Sequence, residues 1–271
     1  MPLRVPRFAG GFVGVDVFFV LSGYLITRIL SRELSETARI DFAAFFARRA
    51  RRLLPTSALV LLTIALVASA IDTPQELAQT ARAVRAASLY VSNIYFDRGA
   101  SDYFAPAVEG NLLLHTWSLG VEEQFYLVWP CLILLASGRA RRVRRTLWIL
   151  SAVAAASLSC CIAATRLAPA FAFYELPARA WEFAAGGILA LLPAKVSRTN
   201  SPAAGVGASI GLSLIFGSAI LIRGGANFPG WLALLPVLGT LLVLYAGISA
   251  PGRGISAALG AAPLQFIGAR S

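Results

Sequence analysis

Long stretches almost free of charge dominate this chain, at roughly 12–30, 53–71, 119–137, 146–165, 180–193, 204–222 and 231–249. The hydrocarbon core of a bilayer is about 30 Å thick and takes about 20 helical residues to cross. A segment inside it must pair its own backbone polar groups, so each stretch is read as helix. The sequence therefore predicts an all-α fold, a polytopic transmembrane helix bundle of about seven full spans. A partial span begins near Pro263. The fifth stretch is short, so it has little room to tilt. The chain is 58% hydrophobic and 14% charged, against about 25% charge in soluble domains. That balance excludes a water-soluble globular fold.

Net charge is +11, from 24 Lys+Arg against 13 Asp+Glu. The basic residues gather in short loops between apolar stretches, which argues against nucleic acid and for a lipid bilayer as partner. Arg32, Arg39, Arg48, Arg49, Arg51 and Arg52 precede the second span, and Arg139, Arg141, Arg142, Arg144 and Arg145 follow the third. Lys195, Arg198 and Arg253 belong to the same side. The other side holds Arg4, Arg7, Arg82, Arg85, Arg98, Arg166 and Arg223. The positive-inside rule puts the richer loops in the cytoplasm and loop 72–118 outside. Cys131, Cys160 and Cys161 lie in apolar stretches without metal-ligand spacing. The N-terminus lacks the pattern of a cleaved leader.

Ionisable residues inside a span are costly and so mark candidate sites. The first span, GGFVGVDVFFVLSGYLIT, holds Asp16 about 7 Å from its outer end at helical rise. HTWSLGVEEQFYLVWP opens the third span. Its Glu123 and Tyr126 are i, i+3 and its Glu122 and Tyr126 are i, i+4, so either carboxylate can meet the hydroxyl. Trp117 and Trp129 stand about a span apart and fit interfacial belts. YELPARAWEFAAGG opens the fifth span with Arg179 and Glu182 on one face. In FFARRARRLLP, Arg48 and Arg52 project together, a fork suited to phosphate. His115 is the single histidine and precedes the third span on the outer side, as a candidate base or a hydrogen-bonded structural residue. Acids near outer helix ends and arginines at an inner end would suit an acyl-coenzyme A entering from the cytoplasm and a hydroxyl acceptor outside. A substrate channel would look similar.

Together these segments resemble the integral-membrane acyltransferase family 3, of the O-antigen acetylase type and its SGNH-fused branch. The matching stretches are those quoted, with SNIYF followed by DYF, and FPGWLALLPVLGTLLVLYAG. They stand in the family's order over nearly the whole chain. The resemblance implies a bundle of ten to eleven helices in the bacterial inner membrane. It would pass acyl groups, usually acetyl from acetyl-CoA, to hydroxyls of envelope glycans such as O-antigen or peptidoglycan, with no bound cofactor and no metal. Carried over, Arg48, Arg49 and Arg52 match the donor-linked basic motif, and Asp16 and Ser22 the first-helix motif. Glu122, Glu123 and Tyr126 match the glutamate–tyrosine motif, and Arg179 with Glu182 the later one. Glu122, Glu123, Asp16 and His115 are the catalytic candidates; Ser22, Tyr126, Arg179 and Glu182 are substrate-binding candidates. The chain starts after the family's first helix, which carries the histidine proposed as catalytic, and stops before its last helices and SGNH domain. Residues 1–271 are thus expected to form a partial acyltransferase domain, of doubtful activity alone. Two other readings are a membrane transporter and a non-catalytic scaffold of the same fold.

Overall fold

A computed structural model describes residues 10–99, 111–136, 142–192, 202–222, 225 and 227–250. Among them are ten α-helices and no strand. In chain order these are α1 (Val13–Thr37), α2 (Phe42–Ile71), α3 (Pro74–Ser88), α4 (Ser92–Gly99), α5 (Thr116–Ala136), α6 (Arg142–Leu167), α7 (Pro169–Tyr174), α8 (Leu176–Leu191), α9 (Pro202–Leu221) and α10 (Leu234–Ser249). A 3-10 turn, Gly230–Ala233, leads into α10. Among the described residues, six helices are long and apolar enough to cross a membrane: Val13–Thr37, Phe42–Ile71, Thr116–Ala136, Val143–Leu167, Ala204–Leu221 and Gly230–Ser249. This is a multi-pass membrane protein. The fifth expected span corresponds to α8, whose 16 residues reach about 24 Å at helical rise, short of the hydrocarbon core. The expected partial span near Pro263 lies outside the described residues, as do Arg4, Arg7, Arg139, Arg141, Lys195, Arg198, Arg223 and Arg253.

Two boundaries differ from the sequence reading. The apolar second span was expected from residue 53, with Arg48–Arg52 just before it at the inner end of the helix. Helix α2 begins at Phe42 and carries all four arginines. Arg and Ala are strong helix formers, and Asp41 caps the start by accepting from the Ala44 N–H at 2.9 Å. Loop 72–118 also holds helices. In α3, Thr73 and Glu76 form a reciprocal capping box ahead of Pro74 at the first turn, which satisfies N–H groups that have no helical partner.

The chain divides into two packing units. The first joins 1–27, 182–224 and 232–271. Here α1 and α8 approach closely because both offer glycine. A Cβ on Gly23 would stand 2.6 Å from the Phe183 carbonyl carbon, and one on Gly186 would stand 2.8 Å from the Tyr24 nitrogen. Phe19 stacks on Phe183 at 4.5 Å between ring centroids. Helices α9 and α10 meet in the same way at Gly211 and Gly239. Between such small-residue faces, dispersion replaces the hydrophobic drive that is missing in lipid.

The second unit joins 28–181 with 225–231. The 225–231 segment docks on α6, where the Gly230 N–H donates to Thr165 Oγ1 at 2.9 Å. Ser157 ties α6 to α8: its Oγ donates to the Pro177 carbonyl at 2.7 Å and accepts from the Trp181 N–H at 2.9 Å. Only 6% of the most apolar stretch of α2 is buried, and Leu59, Leu62, Leu66 and Ile71 are exposed. In a membrane protein these are lipid-facing positions.

The glycine contact in the first unit is testable. Gly23→Val should lower stability by roughly 1–3 kcal/mol, the usual cost of overpacking. Gly217 has nothing within 4 Å of a built Cβ, so Gly217→Ala should gain up to about 1 kcal/mol of helix propensity. Thermal unfolding of detergent-solubilised protein compares the two; equal effects would remove the close contact from the account.

Candidate active site

The structure gathers one group of candidates in the second unit, around α5. Tyr126 is 3% exposed and Glu122 5%. The Tyr126 hydroxyl donates to Glu122 Oε1, so of the two carboxylates within reach the i, i+4 partner takes the bond. The other face of the phenol meets α2: the Arg49 guanidinium carbon lies 4.0 Å from the Tyr126 ring centroid and 5.7 Å from that of Phe45. Phe45 meets Tyr126 edge-on at 6.4 Å. A cation over a phenol whose hydroxyl binds a carboxylate is a favourable chain of charge and dipole, worth up to about 2 kcal/mol for the desolvated cation–π contact. Glu123 stands within electrostatic reach of Glu122 and Arg49. Its Oε1 is buried and makes no hydrogen bond among the described residues. Arg49 is half-buried, while Arg48 and Arg52 are exposed.

The basic motif and the glutamate–tyrosine motif therefore touch. Arginines at an inner end and acids at an outer end were expected at opposite poles. Because the arginines ride on α2, Arg49 instead reaches the middle of α5.

Other candidates take different places. Trp117 and Trp129 are 2% and 3% exposed, so neither forms an interfacial belt. Trp129 packs 4.7 Å from Phe125. Trp117 packs 4.8 Å from Phe173 and helps enclose Arg179. That guanidinium is 5.8, 5.2 and 5.5 Å from the rings of Trp117, Phe173 and Phe228, and its Nε donates to the Phe173 carbonyl at 3.1 Å. Arg179 is 1% exposed and joins α5, α7 and the 225–231 segment. His115 is exposed ahead of α5; its carbonyl accepts from Ser118 Oγ at 3.2 Å. Asp16, Ser22 and Glu182 belong to the first unit, at 0%, 6% and 0% exposure. Among the described residues no group of His, Cys, Asp and Glu is arranged to hold a metal ion.

The sequence reading passed over a second polar group. Asn93 on α4 and Gln124 on α5 exchange amide bonds, Gln124 Nε2 to Asn93 Oδ1 at 2.8 Å and Asn93 Nδ2 to Gln124 Oε1 at 3.3 Å. Asn93 Nδ2 also reaches Glu175 Oε2, between α7 and α8, at 3.4 Å. Asn93 is fully buried. Its signal was the SNIYF segment, matched as a stretch but given no role. Burial, then the neighbouring Asp97 carboxylate, raise Glu175 above the ordinary carboxylate range, against the pull of Arg98. Burial likewise raises Asp97.

A bundle of apolar helices thus holds an arginine–tyrosine–carboxyl group in its second unit. Residues 2–271 match the family model described as "Acyltransferase domain", that of acyltransferase family 3, and the chain belongs to that family. It is 30% identical over 275 residues to the peptidoglycan O-acetyltransferase OatA of Listeria monocytogenes, covering 97% of this chain and 43% of that protein. It is also 30% identical over 280 residues to the putative peptidoglycan O-acetyltransferase YrhL of Bacillus subtilis, with the same coverage. To the O-acetyltransferase OatA of Staphylococcus aureus it is 43% identical over 154 residues, 56% of this chain and 25% of that one. The chain thus spans less than half the length of these relatives. No solved structure matches.

The raised Glu175 carboxyl has a signed consequence. A folded-state value above the unfolded one means that the folded protein holds the proton more tightly. Its stabilising contribution is present at acid pH and is lost as pH rises through the raised value. Glu175→Gln, which cannot ionise, should match wild type in melting temperature near pH 4 and exceed it increasingly toward neutrality. A melting series across that range checks this; a gap independent of pH would contradict it.

Proposed function

We propose that this chain is the membrane-embedded acyl-transfer part of a bacterial inner-membrane O-acetyltransferase. It would move acetyl from acetyl-CoA to a hydroxyl of an envelope glycan, with peptidoglycan the leading acceptor. Family membership and the relatives' names support the reaction class. One observation carries the residue assignment: Arg49 of the donor-linked motif lies on the ring whose hydroxyl binds Glu122.

The chemistry follows from those groups. A glycan hydroxyl attacks the thioester carbonyl; the new C–O bond forms as the C–S bond breaks. The hydroxyl proton passes to a carboxylate, and the departing thiolate takes up a proton to leave as the thiol. Glu122 and Glu123 are the acid–base candidates. Glu123 has a buried oxygen with no partner among the described residues, ready for an incoming hydroxyl. Tyr126 holds Glu122 in place. Arg48 and Arg52 extend the basic row into the open, where guanidinium forks suit the phosphates of the donor. In this reading the arginine row marks the cytoplasmic approach, and His115 remains a candidate ahead of α5.

The test is acetyl transfer in proteoliposomes, followed by thiol release from acetyl-CoA with and without a glycan acceptor. Release should depend on the acceptor. Glu122→Gln should cut the rate by about 10²–10⁴, the range of general acid–base catalysis. Arg48→Ala with Arg52→Ala should raise the donor KM more than it lowers kcat. An unchanged donor KM would remove these arginines from the donor site. Glycan movement without thiol release would replace the transferase with a transporter.

A further inference from the structure

The face of α5 turned toward α4 is not the one that carries the acids, and its chemistry is specific. Thr116, Gly120 and Gln124 follow at intervals of four and share a side of the helix. Each is met by the start of α4 or the turn before it. Ser92 Oγ donates to the Thr116 carbonyl at 2.7 Å. A Cβ on Gly120 would stand 2.8 Å from Asn93 Oδ1 and 3.1 Å from the Tyr90 carbonyl oxygen, so only glycine admits α4 this closely. Gln124 closes the reciprocal amide pair with Asn93. At 100° per residue, Glu122 and Tyr126 point about 160° away from Gln124, and Glu123 about 100° away. Helix α5 is thus gripped from behind at the level of its acids, while its front meets Arg49.

We propose that Asn93 is a positioning residue for acyl transfer, acting through Gln124 to set the rotation and depth at which α5 presents Glu122, Glu123 and Tyr126. The proposal rests on the transferase reading for its catalytic consequence, and on geometry alone for the placement. A carboxamide suits the task because it donates and accepts at once. Asn93 Oδ1 takes the Gln124 N–H, and Nδ2 serves both Gln124 Oε1 and Glu175 Oε2. One buried side chain thereby fastens α4, α5 and the entry to α8. Alanine would leave the Gln124 amide unpaired inside the bundle, and α5 would be free to turn. Ser92 is the natural comparator: it fastens the same two helices two turns away from the acids.

The experiment uses the protein in proteoliposomes, with two readouts. The first is acetyl-CoA-dependent transfer. Asn93→Ala should lower kcat about ten- to a hundred-fold with the acceptor KM little changed, the scale set by a misplacement near 1 Å. Ser92→Ala should lose comparable thermal stability and keep its kcat. The exchanged pair Asn93→Gln with Gln124→Asn, which can rebuild the reciprocal bonds, should recover most of the rate. The second readout needs no activity: carbodiimide labelling of Glu123, located by mass spectrometry, should accelerate in Asn93→Ala and return in the exchanged pair. Wild-type labelling rates in Asn93→Ala would overturn the proposal, as would equal kcat losses in Asn93→Ala and Ser92→Ala. A labelling shift in a protein without any transfer activity would uphold the placement and end the transferase reading.

Discussion

A charge taken from water into hydrocarbon survives only where neighbouring groups replace its hydration, and in this bundle Tyr126 supplies that replacement on both sides at once. Its ring accepts the Arg49 guanidinium and its hydroxyl binds Glu122. One phenol thus couples a guanidinium on α2 to a carboxyl group on α5. The ring contact fixes where the guanidinium stands, and the hydroxyl fixes the orientation of the Glu122 carboxyl group. Holding a guanidinium against aromatic rings is repeated at Arg179, enclosed by Trp117, Phe173 and Phe228. There the guanidinium is sealed and serves to hold helix ends together; at Arg49 it remains half-exposed.

Each unit has its own packing. In the first, glycine faces bring helix axes close, with Gly23 and Gly186 removing side chains where backbone meets backbone. In the second, polar bonds join helices: Ser157 between α6 and α8, Thr165 to Gly230, and the Asn93–Gln124 pair. Interhelical hydrogen bonds in membranes average well under 2 kcal/mol. Their value here is directional, since a helix held by dispersion alone can slide or rotate at little cost.

Much of the architecture was legible in the sequence because lipid imposes one rule on every span. Runs of apolar residues located six crossing helices, and the short fifth run emerged as the 16-residue α8. Charge as a boundary signal set the start of the second span too late, at residue 53, whereas α2 runs from Phe42 and carries Arg48, Arg49, Arg51 and Arg52 at its inner end as the i, i+4 spacing implied. Arginine is a good helix former, and a helix can carry it inward when a partner waits. The belt reading of Trp117 and Trp129 failed for a related reason: spacing along a helix tells depth, while only packing tells which way a ring faces. The motif reading recovered Glu122, Tyr126 and Arg49 as candidates, yet their contact is a tertiary fact that no spacing encodes. Asn93 was invisible as a functional residue because its partners lie 31 and 82 positions away.

The arginine row shows how one helix can serve two environments. Arg49 turns toward α5 and is held by Tyr126 and Phe45, while Arg48 and Arg52, one turn apart, stay exposed. Four arginines in five positions would repel one another if all were confined to the same low-dielectric space. Distributing them leaves Arg48 and Arg52 on the open face and sets Arg49 against the ring of Tyr126. Glu123, whose buried Oε1 makes no hydrogen bond among the described residues, lies within electrostatic reach of Arg49. The step from exposed to half-buried guanidinium within a single helix turn thus carries positive charge from the open face of α2 to the acids of α5.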